Sequence, residues 1–283
     1  MASSPLPRLN EQPFFFDVER DRVFGVLHLP AAQASSAVLV CPAFAEEKLW
    51  SHRVYVTLAR ELAARGAAVL RLDFRGEGES DREFEETTVA TRVTDALRAA
   101  EELRRHVPAS TPLVLLGHRV GGSIAAAAVQ AGCEAAGLVI WDPVPDGNEY
   151  LLQLLRSNLT TQIAVEGKVT RTREMLVKEI QEGRPVVIEG YALTRELFDG
   201  LKALDWVKNW RTPAKGALIL EMARGEEPTL SAPFKELSAR EPTVSCAVVT
   251  EQPFWRETRQ FHQRAPNLMT RTVEWLDAMR QRA

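Results

Sequence analysis

The stretch Leu115-Leu116-Gly117-His118-Arg119-Val120-Gly121-Gly122 decides the fold. Pro112–Leu116 is a short, continuous apolar run, which suits a strand buried on both faces. Val120–Ala131 follows at once and is rich in small helix-forming residues. A strand therefore turns into a helix within about two residues, with Arg119 at the tip. Glycines on both sides fit a turn too tight and strained for side chains.

Outward from this junction, strand and helix alternate. Ala37–Cys41, Ala67–Asp73, Pro112–Leu116 and Gly137–Asp142 read as buried strands. Trp50–Arg65 carries Val54, Leu58 and Leu62 at helical spacing and stops at Gly66, and Val89–His106 is amphipathic. This rhythm predicts an α/β fold with a mostly parallel sheet and helices on both faces. Phe14–Val18 and Val23–Leu29 flank an Asp/Arg-rich turn and predict an N-terminal antiparallel hairpin.

After Pro143 the rhythm breaks. Tyr150–Ile163, Arg173–Glu182, Leu193–Leu201 and Asp205–Trp210 read as helices, with Pro185–Glu189 a short strand. Alternation resumes with strand Ala217–Glu221, helix Ser231–Ser238, strand Val244–Thr250 and helix Asn267–Arg280. The expected organisation is a core of residues 1–145 and 212–283, interrupted by a helical cap over residues 146–211.

The 283 residues should bury roughly three quarters of the unfolded surface. Hydrophobic residues make up 45% and charged residues 26%, an ordinary globular balance. The net charge of -3 argues against a nucleic-acid binder. No stretch is long and apolar enough to span a membrane, and the N-terminus lacks a secretory apolar core. Cys41, Cys133 and Cys246 are widely spaced and show no metal or disulfide pattern. A cytoplasmic protein without metal or cofactor is expected.

Three motifs fall at strand ends in a fixed order. They are Val40-Cys41-Pro42-Ala43-Phe44-Ala45-Glu46-Glu47, then Leu72-Asp73-Phe74-Arg75-Gly76-Glu77-Gly78-Glu79-Ser80, then the junction around Arg119. Together they resemble the α/β-hydrolase superfamily, whose G-x-S-x-G nucleophile elbow the third motif matches in frame. The finer resemblance is to the exosortase A system-associated hydrolases of type 2. It rests on Phe44-Ala45-Glu46-Glu47 with Ser51-His52-Arg53, Trp141-Asp142-Pro143-Val144, Ile188-Glu189-Gly190-Tyr191-Ala192-Leu193 and Pro253-Phe254-Trp255. It runs from about Pro13 to the C-terminus. That resemblance implies a hydrolase by fold in an exopolysaccharide- and exosortase-related setting.

The chemistry departs from that frame. An elbow serine attacks a carbonyl after a histidine takes its proton. Arg119 stays protonated and offers no nucleophile. Ser123 lies one turn too far along, and His118 precedes the tip and should point elsewhere. Glu226, Glu227 or Glu221 stands where the triad acid is expected. The last strand is followed by Thr250-Glu251-Gln252-Pro253-Phe254-Trp255, with no histidine before His262.

The expected crevice holds Arg119, Phe44, Glu46, Glu47 and Asp142, with Arg75 a further candidate. Arg119 needs an anion beside it. It either clamps a carboxylate or phosphate of a ligand, or pairs internally with Glu46, Glu47 or Asp142. Glu46 and Glu47 are also candidate acid/base carboxylates, Ser51 a helix-capping residue and His52 a cleft residue. Three functions remain open on the sequence. One is a catalytically silent binder of an anionic or acyl small molecule, and another is a purely structural or protein-binding chain. The third is an ester or thioester hydrolase or acyltransferase using other residues.

Overall fold

The computed structural model describes residues 10–223, 229–256 and 261–281. Eight strands form the main sheet: β1 (Asn10–Val18), β2 (Asp21–Leu29), β3 (Ser36–Cys41), β4 (Ala67–Leu72), β5 (Leu113–His118), β6 (Gly137–Trp141), β9 (Ala217–Met222) and β10 (Val244–Val249). Their spatial order is β1-β2-β4-β3-β5-β6-β9-β10. The six strands from β4 to β10 run parallel, and β1 and β2 form an antiparallel hairpin at one edge.

Each inner strand sends alternate residues to opposite faces, as a pleat requires. Ala37, Leu39 and Cys41 of β3 enter one core, while Val38 and Val40 enter the other. Leu115 and Leu116 of β5 divide in the same way. Helices α1 (Glu46–Ala64) and α8 (Pro266–Gln281) cover one face. Helices α2 (Val89–Arg105), α3 (Val120–Gln130) and α7 (Ala232–Arg240) cover the other. That two-sided burial explains why the strands read as unbroken apolar runs.

The chain goes from β3 to β4 on one side, then crosses back to β5 on the other. The strand order therefore reverses beside β3, and the carboxyl ends of β3 and β5 flank a crevice. The segment between β6 and β9 carries α4 (Gly147–Glu166), α5 (Arg173–Gln181), the small hairpin β7 (Val186–Ile188) and β8 (Tyr191–Leu193), and α6 (Arg195–Lys202). Helix α4 begins where the Asp146 carboxylate accepts the Asn148 and Glu149 amides, and it ends at left-handed Gly167.

Two expectations shift. Helix α1 starts at Glu46, not Trp50, so Ser51 is a buried residue inside the helix and not its cap. The acids Glu46 and Glu47 in its first turn complement the helix dipole and extend it. Asp205–Trp210 forms turns and not a helix. The Trp206 indole there donates to the Val144 carbonyl at 2.8 Å and its ring packs on Trp210 and Phe234. Tertiary packing overrides the weak local helix preference.

The turn around Arg119 depends on its glycines. A Cβ on Gly121 would lie 2.1 Å from the Pro42 carbonyl oxygen, and one on Gly117 would lie 2.4 Å from that of Gly121. Both obstacles are backbone and cannot swing aside. Gly121→Ala should therefore cost about 3 kcal/mol, read by denaturant unfolding. A variant within about 0.5 kcal/mol of the parent would show that the turn tolerates a side chain.

Candidate functional site

Arg119 occupies the tip of the strand-to-helix turn at φ 54°, ψ −126°, as the residue that caps α3. This is a strained region for any non-glycine residue. Its amide donates to the Trp141 carbonyl at 3.0 Å and its carbonyl accepts from the Gly122 amide at 2.9 Å. The tip thus keeps the shape that in a serine enzyme presents a hydroxyl.

The residue is only 6% exposed. Its Nε and Nη2 donate to Glu47 Oε1 at 3.2 and 3.0 Å. Its Nη1 donates to Asp142 Oδ2 at 3.1 Å. Glu47 comes from the first turn of α1, and Asp142 follows β6 with φ 41°. Asp142 is fully buried and also accepts the Met222 amide at the end of β9. Two rings close over the guanidinium, Tyr150 of α4 at 5.6 Å and Trp255 beyond β10 at 5.4 Å. Burial opposes the charge, yet Glu47 and Asp142 hold the Arg119 pKa above its usual value. Burial pushes the Glu47 carboxyl upward against the pull of Arg119.

His118 points the other way, into the core. Its Nδ1 lies 2.7 Å from the Tyr55 hydroxyl, which accepts the Ala43 amide, and its ring stacks on Phe254 at 4.9 Å. Burial and the neighbouring Arg119 charge keep its pKa well below the ordinary histidine value, so it is neutral. Ser123 donates to the Val144 carbonyl. His262 is half-buried before α8, and none of the five histidines lines the crevice. Glu226 and Glu227 lie outside the described residues. Glu221 accepts the Ser231 amide at 2.7 Å.

Above Arg119 opens a cavity of about 1020 Å³. Glu46, Glu47, Trp50 and Arg119 line it from the sheet side, and Tyr150, Ser157 and Glu189 from the inserted segment. Of the residues expected to meet there, Arg119, Glu46 and Glu47 do, and Asp142 sits directly beneath. Phe44 does not line the cavity. Its ring is held between Arg92 and Phe84, with the guanidinium carbon 5.0 Å from its centroid. Arg75 is also excluded, because it is buried among Glu19, Asp21 and Asp95 below the N-terminal hairpin. His52 is exposed on α1 outside the cavity. Asp73 and Ser80 hold their loop. The Ser80 hydroxyl donates to the Asp73 carbonyl at 2.6 Å, and the Asp73 carboxylate meets Lys48 at 2.7 Å.

The sequence reading did not single out Tyr150, Trp255 or Glu189 as site residues. Glu189 stands at the tip of the β7–β8 hairpin with φ 52° and lines the cavity together with Glu46. The Trp50 indole donates to Glu46 at 3.3 Å, and the Ser157 hydroxyl donates to Glu189. Burial first, then the Glu189 carboxylate, push the Glu46 pKa upward. Among the described residues no group of three or more His, Cys, Asp or Glu gathers as a metal site, and no helix is long and apolar enough to cross a membrane.

A sheet of this topology, with a strained strand-to-helix turn at its switch point, defines the α/β-hydrolase superfamily. The family model for serine aminopeptidase, S33, matches residues 32–209, and the chain belongs to that family. Solved structures of similar fold include Est1E from Butyrivibrio proteoclasticus with ferulic acid bound. It is 14% identical at a TM-score of 0.66, with 94% of this chain and 98% of that one covered. A Pyrococcus furiosus esterase is 17% identical at 0.64, covering 98% and 96%. A proline iminopeptidase-related protein from Thermus thermophilus is 16% identical at 0.60, covering 95% and 98%. At these identities the likeness is one of fold. No curated protein sequence matches the chain.

Two outcomes are expected. Asp142→Asn leaves the buried guanidinium short of a carboxylate and should cost about 3 kcal/mol. A loss under about 0.5 kcal/mol in denaturant unfolding would mean the pair does not hold the turn. The second concerns Glu46, whose folded pKa is raised. The stability it contributes is complete below its ordinary value of 4.5 and is lost as pH rises through the raised value. Stability of the parent relative to Glu46→Gln should therefore decline from about pH 4.5 towards neutral. A flat or rising difference contradicts the assignment.

Proposed function

We propose that this chain is a hydrolase-fold protein that has left serine–histidine acyl transfer and uses the cavity over its elbow to hold a ligand. The resemblance to the exosortase-associated hydrolases assigns it an exopolysaccharide- and exosortase-related setting. In this reading residues 146–211 act as the cap over that ligand. One observation carries the proposal: the elbow tip bears a guanidinium bound to Glu47 and Asp142 and roofed by Tyr150 and Trp255. A hydroxyl there would have no base, because the segment that follows the last strand supplies Phe254 and Trp255 in place of a histidine. An anionic or acyl head meeting Arg119 would have to displace Glu47, so the ligand meets the cavity's carboxylates first.

A second reading is an ester or thioester hydrolase or acyltransferase that uses other residues. It draws on Glu46, a cavity-lining carboxyl whose raised pKa suits general acid/base work.

Turnover of p-nitrophenyl esters by the parent, Arg119→Ser, Arg119→Ala and Glu46→Gln separates the two. The proposal expects no turnover above the buffer rate in the parent, and none gained by Arg119→Ser alone. Clear parental turnover abolished by Arg119→Ala or Glu46→Gln, with the variant's unfolding midpoint retained, would establish the second reading instead.

A further inference from the structure

At the amino ends of the strands, away from Arg119, a second groove of about 540 Å³ opens between three loops. The loops precede β5, β6 and β9 and are stitched together through their backbones. The Lys215 amide donates to the Ala136 carbonyl at 2.6 Å, and the Ala136 amide donates to the Leu113 carbonyl at 2.7 Å. Arg104 reaches the groove from the last turn of α2, and Arg211 and Lys215 reach it from the segment before β9. These three cations share the groove with one carboxylate, Glu134. Arg104 Nη2 donates to the Glu134 carbonyl at 2.6 Å, and Arg211 Nη1 to the Gln130 carbonyl at 3.4 Å. Each arginine offsets the negative carboxyl end of α3 with one donor and keeps the rest of its fork. Among the described residues none of the three cations meets a carboxylate, and the Lys215 ammonium has no side-chain partner.

A separate observation points to an occupant. Thr111 is 6% exposed and lines the same groove, and its hydroxyl has no hydrogen-bond partner among the described residues. Its amide donates to the Pro108 carbonyl at 2.9 Å, which fixes the loop that carries it. The neighbouring hydroxyl of Thr212 is different, because it already bonds Trp210 and Glu241. A largely buried hydroxyl left open is costly unless a ligand or water completes it. The open valences around the groove are therefore donors: two guanidinium forks, an ammonium and a hydroxyl.

We propose that this groove binds the phosphate or diphosphate group of a small soluble molecule. Arginine forks meet phosphate oxygens in pairs, and lysine adds a point charge to the same group. The Thr111 hydroxyl would donate to a further oxygen. A lone carboxylate carries one charge on two oxygens and falls short of three cations and a hydroxyl. No exposed large apolar side chain lines the groove, so a bilayer has nothing to receive there. A single groove on a chain of net charge -3 does not track a nucleic-acid backbone. The site lies apart from the cavity over Arg119, and its assignment does not depend on the reading given to that cavity.

The test is calorimetric titration of the full chain, in chloride buffer, with pyrophosphate, inorganic phosphate and acetate. Pyrophosphate should bind at least about tenfold more tightly than acetate, a difference of about 1.4 kcal/mol, with phosphate between the two. Lys215→Gln should weaken pyrophosphate by about tenfold, and Thr111→Val by about threefold. Both variants should keep the parent's unfolding midpoint, because neither side chain has a partner to lose. Arg53→Gln removes the same charge from an exposed position on α1 and should leave the affinity unchanged. A loss in Arg53→Gln equal to that in Lys215→Gln would reduce the effect to general surface charge and overturn the site. Full affinity retained in Lys215→Gln or in Thr111→Val would overturn it too, as would acetate matching pyrophosphate or no binding of pyrophosphate at millimolar concentration.

Discussion

The buried ion pair of Arg119 with Glu47 and Asp142 ties together four pieces of the molecule. Arg119 ends β5, Glu47 opens α1 after β3, and Asp142 ends β6 and accepts an amide from the end of β9. These are neighbouring strands in the sheet, and the pair crosses their carboxyl ends at the reversal of strand order. Taking three charges out of water is costly, and only good geometry with several hydrogen bonds offsets it. Here the guanidinium uses Nε, Nη1 and Nη2 together, and two rings exclude water from its faces.

The same pair explains how a strained backbone survives at the tip of the turn. Residue 119 sits at positive φ, Ala45 at the start of α1 has almost the same dihedrals, and Asp142 is also at positive φ. Such conformations persist where the surroundings over-determine them. Around Arg119 those surroundings are the glycines that let β5, α3 and the Pro42 carbonyl approach, together with the ion pair that holds the side chain. The site where a histidine base would stand is filled by Phe254 against His118 and Trp255 against Arg119. Both ring contacts close the elbow rather than open it.

Much of this was legible in the chain. The elbow, the parallel sheet and the N-terminal hairpin followed from apolar runs, helical spacing and glycine punctuation, which are local signals. Arg119 stood out because it breaks a motif, and its need for a counter-charge followed from burial alone. Which acid would answer was not legible. Glu46 and Glu47 are adjacent in sequence, but on a helix they point about 100° apart. Only the fold shows Glu47 turning to Arg119 and Glu46 to Glu189. The start of α1 was missed because its first turn is acidic rather than apolar. The role of Tyr150 depended on where the inserted helix lands, which no periodicity encodes.

The two charge clusters in the cavity now take on different physical roles. The floor cluster is closed: its cation has carboxylates along its edge and rings on its faces, so an entering anion must compete with groups already in place. The lip cluster is open: Glu46 accepts from Trp50 and Glu189 from Ser157, and no cation lies among those partners. Electrostatic complementarity sets what a site admits by penalising like charge as much as by rewarding opposite charge. The floor of the cavity is thus closed by charge and by rings, and its lip is acidic where the inserted segment meets the sheet.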